Sequence, residues 1–254
     1  MVKTVRNGRH IDTYIPRNLR GMFYRNPNPK AKYASHNGYD PYGFSTNGLV
    51  LYLPLWALKG TAFRSVDAYR HTCTVTGTTW GPTGRYYDGG LNAVMVPDRA
   101  VLDITTVISI EMWVRFDDVA ATENLIHKRS GNIISNYSMW HIANELYIAF
   151  YTPPNVGHTH ITVGLGMANN TWYHIVGIID CVNDKVYIYV NGVSELDEAE
   201  AADMVADNNN VYIGYYSGSE HTGYIGEVRI YNRALSAGEI LHNYNATKGY
   251  PYYV

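Results

Sequence analysis

The part of this chain that most resembles catalytic machinery is a run of carboxylates, Glu195-Leu196-Asp197-Glu198-Ala199-Glu200. Two carboxyl groups about 5 Å apart on one face of a rigid strand can act as nucleophile and proton donor in glycoside hydrolysis. This run, however, follows the turn Asn191-Gly192 and continues into the acidic, alanine-rich residues 199–203. We therefore predict a solvated loop or short helix here, in which the carboxylates would not be held in that geometry.

Metal binding is the second chemistry to consider. His158-Thr159-His160 would place two imidazoles on one face of a strand, but no third ligand lies nearby in the sequence. Five oxygen donors are scattered and form no calcium loop of alternating ligands. They are Asp67, Asp88, Asp98, Asp103 and Glu227. We therefore expect exposed histidines, carboxylates in turns and loop edges, and no cofactor.

Other motifs of catalysis are missing from the sequence. It contains no G-x-S-x-G, no phosphate-binding Gly-Lys loop and no Cys-x-x-Cys. The only two cysteines, Cys73 and Cys181, define no disulfide framework, and whether they are bridged stays open. No stretch is long and apolar enough for a membrane helix, and the first ten residues lack the apolar core of a signal peptide.

The charge of the chain is divided by position. Residues 1–47 carry eight Lys and Arg against two Asp, whereas residues 48–254 carry twelve basic against twenty acidic residues. The first segment is also rich in Pro, Gly and Asn, which predicts a basic extended arm (residues 1–47) before a larger domain (residues 48–254). Its candidate assembly residues are Arg6, Arg9, Arg17, Arg20, Arg25, Lys30 and Lys32.

Basic residues in an arm can bind either nucleic acid or an acidic protein surface. Here they are scattered, and the acidic body would repel a polyanion, so we do not expect nucleic acid as the partner. The expected partners are neighbouring protein subunits, either copies of this chain or capsid proteins.

The elements of the larger domain are strands. Residues 108–116 alternate with period two, which places Ile110, Met112 and Val114 on one face of a half-buried strand. Similar runs occur at 49–53, 146–151, 173–179, 185–190 and 211–216, and Asn191-Gly192 predicts a two-residue hairpin turn. Ser236 and Glu239 have the spacing of a capping box, which predicts one short helix near the C-terminus.

Aromatic residues form the candidate contact surface. Trp113, Tyr187 and Tyr189 alternate with the apolar residues of their strands, so they would lie on outward faces. Further tyrosines follow near the closing strands and in the tail after Gly249. The candidate residues of this surface are Trp113, Tyr187, Tyr189, Tyr215, Tyr216 and Tyr224. Such side chains suit sugar faces and protein interfaces, and the arm and tail of the chain itself could equally cover them.

Several segments together resemble one family. They are residues 49–56, 96–103 followed by 108–114, 170–176, 186–192 and, most specifically, Tyr224-Ile225-Gly226-Glu227-Val228-Arg229-Ile230-Tyr231-Asn232-Arg233-Ala234-Leu235-Ser236. Their order and spacing from about residue 48 to 247 resemble the laminin-G-like, or concanavalin A-like, jelly-roll domains. The resemblance implies an all-β fold, a two-sheet antiparallel jelly-roll sandwich, here with an extended N-terminal arm and one short C-terminal helix.

The resemblance also implies a class of function, which is mostly non-catalytic binding to glycans or proteins. Calcium-binding members usually have Asp before the glutamate of the closing motif, where this chain has Gly226, so the motif does not support calcium. Glucan hydrolases share this sandwich architecture, and some use the E-x-D-x-x-E spacing found at 195–200. A glucan hydrolase is therefore the third alternative.

We predict a non-enzymatic structural and interaction protein, namely a virion surface, decoration or minor capsid protein anchored by its arm. The fold is usually found outside cells, and export by lysis would explain it without a signal peptide. The predicted location is accordingly the virion, with the extracellular space or a cell surface as the alternative. The second prediction is a glycan-binding, lectin-like module for surface attachment.

Overall fold

The computed structural model describes residues 44–130, 134–154 and 156–249, together with the backbone of residues 4–6 and 9–11. Two eight-stranded antiparallel sheets stack face to face, and one helix follows the last strand. The predicted all-β sandwich with a C-terminal helix is thereby confirmed. In the described ranges, no helix combines the length and the apolar character that crossing a bilayer requires.

The sheet that carries the candidate site is called sheet I. Its strands are β4 (Ala62–Arg64), β5 (Thr72–Thr76), β8 (Ala93–Val96), β10 (Thr122–Ser130), β11 (Ile134–Ile142), β12 (Glu145–Thr152), β13 (Val156–Ile161) and β17 (Val211–Ile213). Their order across the sheet is β13-β12-β11-β10-β17-β8-β5-β4. Strands β10 to β13 are consecutive hairpins, so neighbours in sequence are neighbours in the sheet.

The opposite sheet is called sheet II. Its strands are β3 (Leu49–Pro54), β6 (Thr79–Gly81), β7 (Gly84–Asp88), β9 (Val107–Phe116), β14 (Trp172–Asp180), β15 (Lys185–Val190), β16 (Val193–Ala199) and β18 (Thr222–Tyr231). Their order is β16-β15-β14-β9-β18-β7-β6, and β3 also pairs with β18. A 3-10 turn, Ala100–Leu102, precedes β9.

The main core lies between the sheets. Ile110, Met112 and Val114 face into it from β9, as the alternation predicts. The other face of β9 is buried as well, because helix α1 (Ala237–Thr247) packs over Trp113, which donates to Thr247 Oγ1 at 2.8 Å. The predicted half-buried strand is therefore wrong for β9, which is covered on both sides.

Local signals for the hairpin and the helix are confirmed. Asn191 and Gly192 both have positive φ, at 51° and 82°, as a type I′ turn between β15 and β16 requires. Ser236 Oγ accepts from the backbone N–H of Glu239, and the Glu239 carboxylate accepts from the backbone N–H of Ser236, so the capping box is complete. Helix α1 therefore begins where the sequence predicts.

The N-terminal segment is described only in part. Its backbone forms a short hairpin of β1 (Thr4–Arg6) and β2 (Arg9–Ile11), in which Arg6 and Arg9 are paired. The remaining predicted assembly residues, Arg17, Arg20, Arg25, Lys30 and Lys32, lie outside the described residues. Phe44, the first residue of the described range 44–130, is buried against Tyr52.

Candidate functional site

An open cleft of about 140 Å³ lies on the outer face of sheet I. Among the described residues, three aromatic rings and four polar side chains line it. They are Trp140, Tyr151 and Tyr216, with Thr122, Asn124, Arg129 and Ser219. This set of residues is called the aromatic cleft. The rings supply flat apolar surface, and the polar groups supply hydrogen bonds of fixed direction, a combination typical of small-ligand sites.

Strand alternation places these residues on the outer face. On β11 and β12 the side chains of Met139 and Ile148 face the core, so their neighbours Trp140 and Tyr147 face outwards and stack with ring centroids 5.1 Å apart. Asn124 is the direct partner of Trp140 across β10 and β11. The pleat of three consecutive strands thus builds the floor of the cleft.

The loop after β17 supplies the remaining wall. It begins at Gly214, whose φ is +76° and whose Cα lies so close to the Tyr87 ring that a side chain would collide with it. The backbone N–H of Asn124 donates to Ser219 O at 2.7 Å, and His221 N–H donates to Gly214 O at 2.9 Å. These bonds hold Tyr216 and Ser219 against β10.

Arg129 and Tyr216 form one unit at the rim of the aromatic cleft. The guanidinium lies over the Tyr216 ring, 4.2 Å from its centroid, and Nη2 donates to the Tyr216 hydroxyl at 2.7 Å. Stacking restricts the plane of the guanidinium, which pre-organises its fork of donors.

His127 supports the aromatic cleft from below. It is 4% exposed and stacks on Tyr212, with the ring centroids 5.5 Å apart. It meets the Tyr216 ring edge-on, with the ring centroids 5.4 Å apart. Its Nδ1 lies 3.1 Å from Asn124 Oδ1. Burial and the nearby charge of Arg129 lower the pKa of His127 to about 4, so the ring is neutral at pH 7.

The predicted aromatic surface does not exist as one patch. Trp113 does lie on the face opposite Met112, but it is fully buried beneath helix α1 and stacks on Tyr244, so its prediction as an exposed contact residue is wrong. Tyr187 and Tyr189 are half-buried on sheet II beside the same helix. Tyr224 lies against Tyr86, Trp172 and Arg115, also on sheet II.

Two of the predicted tyrosines do belong to the site region. Tyr216 lines the aromatic cleft. The ring centroid of Tyr215 lies 6.2 Å from that of Tyr212, the tyrosine that stacks on His127. Trp140 and Tyr151 were not predicted. A signal for them exists in the sequence, since Trp140 and Tyr147 alternate with apolar residues on consecutive strands joined by a short turn.

The carboxylate run at 195–200 is mostly an edge strand, β16, and not the predicted loop or short helix. Glu195 is exposed, whereas Glu200 is five residues away and accepts hydrogen bonds from sheet I. Strand β16 has a β-bulge at Glu195, so alternation alone does not place the two carboxylates, but their surroundings differ: Glu195 is exposed to solvent, whereas Glu200 contacts His158 and His160. They are therefore not held together for hydrolysis.

His158 and His160 do share a face of β13, and they meet carboxylates from the other sheet. His158 Nδ1 and His160 Nε2 lie 3.0 and 3.2 Å from Glu200 Oε2, and His160 Nδ1 lies 2.7 Å from Glu198 Oε2. The histidines are not exposed as predicted, because this cluster joins the edge strands of both sheets. Across the described ranges, no group of three His, Cys, Asp or Glu side chains is arranged to hold a metal ion.

The five scattered oxygen donors are engaged by donors of the protein. Two of them, Asp98 and Asp103, lie 2.5 and 3.0 Å from the buried Lys128 ammonium. Asp67 accepts from the backbone N–H of Tyr52, Tyr69 and Arg70. Asp88 accepts from Gly90 N–H, and Glu227 accepts from Trp56 Nε1. Cys73 and Cys181 are both free.

The closing motif of the sequence builds a buried ion network under helix α1. Arg229 Nη1 lies 3.1 Å from Glu111 Oε1, and its other terminal nitrogen bonds the Glu227 carboxylate. His174 Nε2, at 2.7 Å, and the Tyr231 hydroxyl, at 3.0 Å, also contact Glu111. Burial alone would raise the pKa of Glu111, but Arg229 and His174 lower it to about 2. The motif is therefore structural in this chain.

The two stacked antiparallel sheets form a lectin-like jelly-roll sandwich. The family model of the concanavalin A-like lectin/glucanases superfamily, in its Laminin_G_3 form, matches residues 88–241. The chain belongs to this superfamily. No curated protein matches the sequence.

Solved structures share the fold at low sequence identity. The receptor-binding domain of botulinum neurotoxin C/D mosaic serotype is similar, with a TM-score of 0.64 and 14% identity over 79% of this chain and 51% of that one. The botulinum neurotoxin serotype D ligand-binding domain, solved in complex with N-acetylneuraminic acid, has a TM-score of 0.62 and 12% identity, covering 79% of this chain and 51% of that one. Trypanosoma rangeli sialidase has a TM-score of 0.61 and 16% identity, covering 78% of this chain and 32% of that one. This chain thus spans about half or less of the length of these proteins.

Proposed function

We propose that this protein binds carbohydrate in the aromatic cleft of sheet I. The observation that carries the proposal is the convergence of Trp140, Tyr151 and Tyr216 with amide, hydroxyl and guanidinium groups in one open cleft. Aromatic faces pack on the apolar faces of sugar rings, and polar side chains at the rim bond the hydroxyls. A domain of the same fold has been solved with N-acetylneuraminic acid, which supports a glycan as ligand.

A glycan array with the full-length protein, followed by calorimetry on the best ligand, tests the proposal. Trp140→Ala should weaken binding by more than about tenfold, since buried aromatic anchors carry much of the energy of a binding site. Trp80→Ala removes a half-exposed indole from sheet II and should leave the affinity unchanged. Unaltered affinity of Trp140→Ala, or the absence of any bound glycan, would refute the proposal.

The proposed activity is binding without catalysis. It is supported by the exposure of Glu195 to solvent and by the engagement of Glu200 with His158 and His160. Release of reducing sugar from any glycan that the array identifies would contradict it.

A virion role is the second function that we propose, with the arm of residues 1–47 anchoring a surface, decoration or minor capsid protein. The specific support is charge complementarity. The arm is basic, whereas edge strand β16 exposes Glu195, Asp197 and Glu198. The expected location is the virion surface. A monomeric protein in its native setting, with an arm that proteases remove freely, would refute this role.

A further inference from the structure

We propose that His158, His160, Glu198 and Glu200 form a proton-dependent clasp, which fastens the edge strand of sheet I to the edge strand of sheet II at acidic pH and loosens as the pH rises above neutrality. These four side chains are called the clasp. They lie on the inward side of β13 and at the end of β16, whereas the aromatic cleft lies on the outer face of sheet I. The clasp and carbohydrate binding therefore stand or fall separately.

The clasp joins the sheets where their paired strands end. Among the described strands, β13 and β16 lie at the ends of their sheets, and each pairs with a single neighbour, β12 or β15. Deeper in the sandwich the sheets meet through apolar side chains such as Ile148 and Ile188. At this edge they meet through the clasp, in which His160 is 7% exposed and the Glu200 side chain 15%. Its contacts are thus largely shielded from water.

The clasp needs one proton more than its two imidazoles carry when they are neutral. His158 Nδ1 and His160 Nε2 lie 3.0 and 3.2 Å from the same atom, Glu200 Oε2, and His160 Nδ1 lies 2.7 Å from Glu198 Oε2. A carboxylate only accepts, so each of these three contacts is a hydrogen bond only when a proton lies in it. Two neutral imidazoles carry one N–H each, so one contact lacks a proton whichever nitrogens hold them. One added proton completes all three.

The added proton belongs on His160. The Thr152 hydroxyl, 3.2 Å from His158 Nε2, can donate to that nitrogen, so a neutral His158 with its proton on Nδ1 satisfies both of its contacts. His160 has a carboxylate oxygen at each nitrogen, and only the imidazolium donates to both. Burial alone would raise the pKa of Glu200, but hydrogen bonds from Ala202 N–H and the two histidines lower it, so Glu200 stays a carboxylate between pH 5 and 8.

The neighbouring strands surround the clasp with apolar groups. β12 places Ile148 and Phe150 beside the two histidines, and β15 places Val186 beside the first glutamate. The cation of β15, Lys185, pairs instead with Asp197 at the surface. Imidazole is the side chain that changes charge between pH 5 and 8. Loss of the added proton over this range leaves a nitrogen lone pair facing a carboxylate, which weakens the clasp.

Hydrogen exchange of the full-length protein, measured by mass spectrometry from pH 5.5 to 8.0 and corrected for the intrinsic pH dependence of exchange, tests the clasp. We expect the protection of the β13 amides to fall by more than about tenfold over this range, because a charge-assisted hydrogen bond is lost. Strand β9 lies inside sheet II and reports global unfolding, so the fall in β13 should exceed that in β9. His127 and His141, whose pKa values are lowered to about 4, stay neutral throughout and do not contribute.

Three variants separate the clasp from its surroundings. His160→Gln cannot take up a proton, so β13 should be weakly protected at every pH. Glu198→Gln supplies an amide that can donate or accept, so the pH dependence should shrink to less than about threefold. Glu195→Gln is the matched control, since Glu195 lies on the same strand but is exposed, and it should keep the dependence of the wild type.

The outcomes are distinct. Constant protection of β13 in the wild type, or a pH dependence that survives both His160→Gln and Glu198→Gln, would overturn the clasp. A dependence lost in His158→Gln but kept in His160→Gln would show that the proton is not on His160. Should His160→Gln not fold, Glu198→Gln decides alone, because the Glu198 side chain is 49% exposed and its replacement leaves the core intact.

Discussion

Removing the Arg229 side chain should strongly destabilise this protein. It is fully buried under helix α1, with Glu111 on one side and Glu227 on the other. Its guanidinium also lies 4.2 Å from the Phe44 ring centroid. Arg229→Met keeps much of the apolar stem but leaves two buried carboxylates without their shared cation.

The magnitude follows from the contacts that remain. Removing one member of a buried ion pair costs about 3–5 kcal/mol. Glu111 keeps the hydrogen bonds of His174 and Tyr231, and Glu227 keeps that of Trp56, so we expect about 4 kcal/mol rather than twice the single-pair value. With a urea m-value of roughly 3 kcal/mol/M, the unfolding midpoint should fall by more than about 1 M.

Urea unfolding at pH 7, followed by tryptophan fluorescence, measures this loss. The double variant Arg229→Met with Glu111→Gln should recover part of it, because one uncompensated charge is removed as well. Lys185→Met breaks the exposed pair with Asp197 and should leave the midpoint unchanged. A midpoint of Arg229→Met within about 0.2 M of the wild type would refute the argument that the network stabilises the fold.

Three further predictions concern stability. Burial, with a contribution from His221, lowers the pKa of His141 to about 4. The neutral ring therefore contributes fully to the free energy of unfolding above about pH 6.5, and this contribution is lost as the pH falls from about 6.5 to 4. Thermal unfolding measured against pH should show His141→Phe losing less stability than the wild type over that window, and parallel curves would contradict this. Gly223, at φ +137°, has no room for a Cβ beside the Arg115 carbonyl, so Gly223→Ala should lower the free energy of unfolding by more than about 2 kcal/mol in urea titration. Ser236→Ala removes the N-cap of helix α1 and should cost about 1 kcal/mol in the same assay, whereas an unchanged midpoint would mean that the cap is dispensable.

Much of the fold follows from local signals in the sequence. Alternation predicts β12 and β14 to within a residue at each end, and residues 185–190 match β15. The capping box predicts the start of α1. These elements are predictable because the periodicity and the turn chemistry of a few adjacent residues decide them.

The candidate site was much harder to predict. Alternation shows that Trp113 and Trp140 each face away from the core, but it cannot show that α1 covers one while the other stays half-exposed. The pairing of β10 with β17 brings together Arg129 and Tyr216, which are 87 positions apart in the sequence. Such contacts depend on the order of strands in the sheet, which local patterns do not encode.

The acidic strand β16 has a consequence for the behaviour of the protein in concentrated solution. Among the described strands it lies at the end of sheet II, and the outer side of an end strand offers backbone groups to which the same strand of another copy could add. Such an addition would bring Glu195, Asp197 and Glu198 of two copies together, and their repulsion would oppose it. The carboxylates that first suggested an active site would thus oppose the pairing of two such sheet edges.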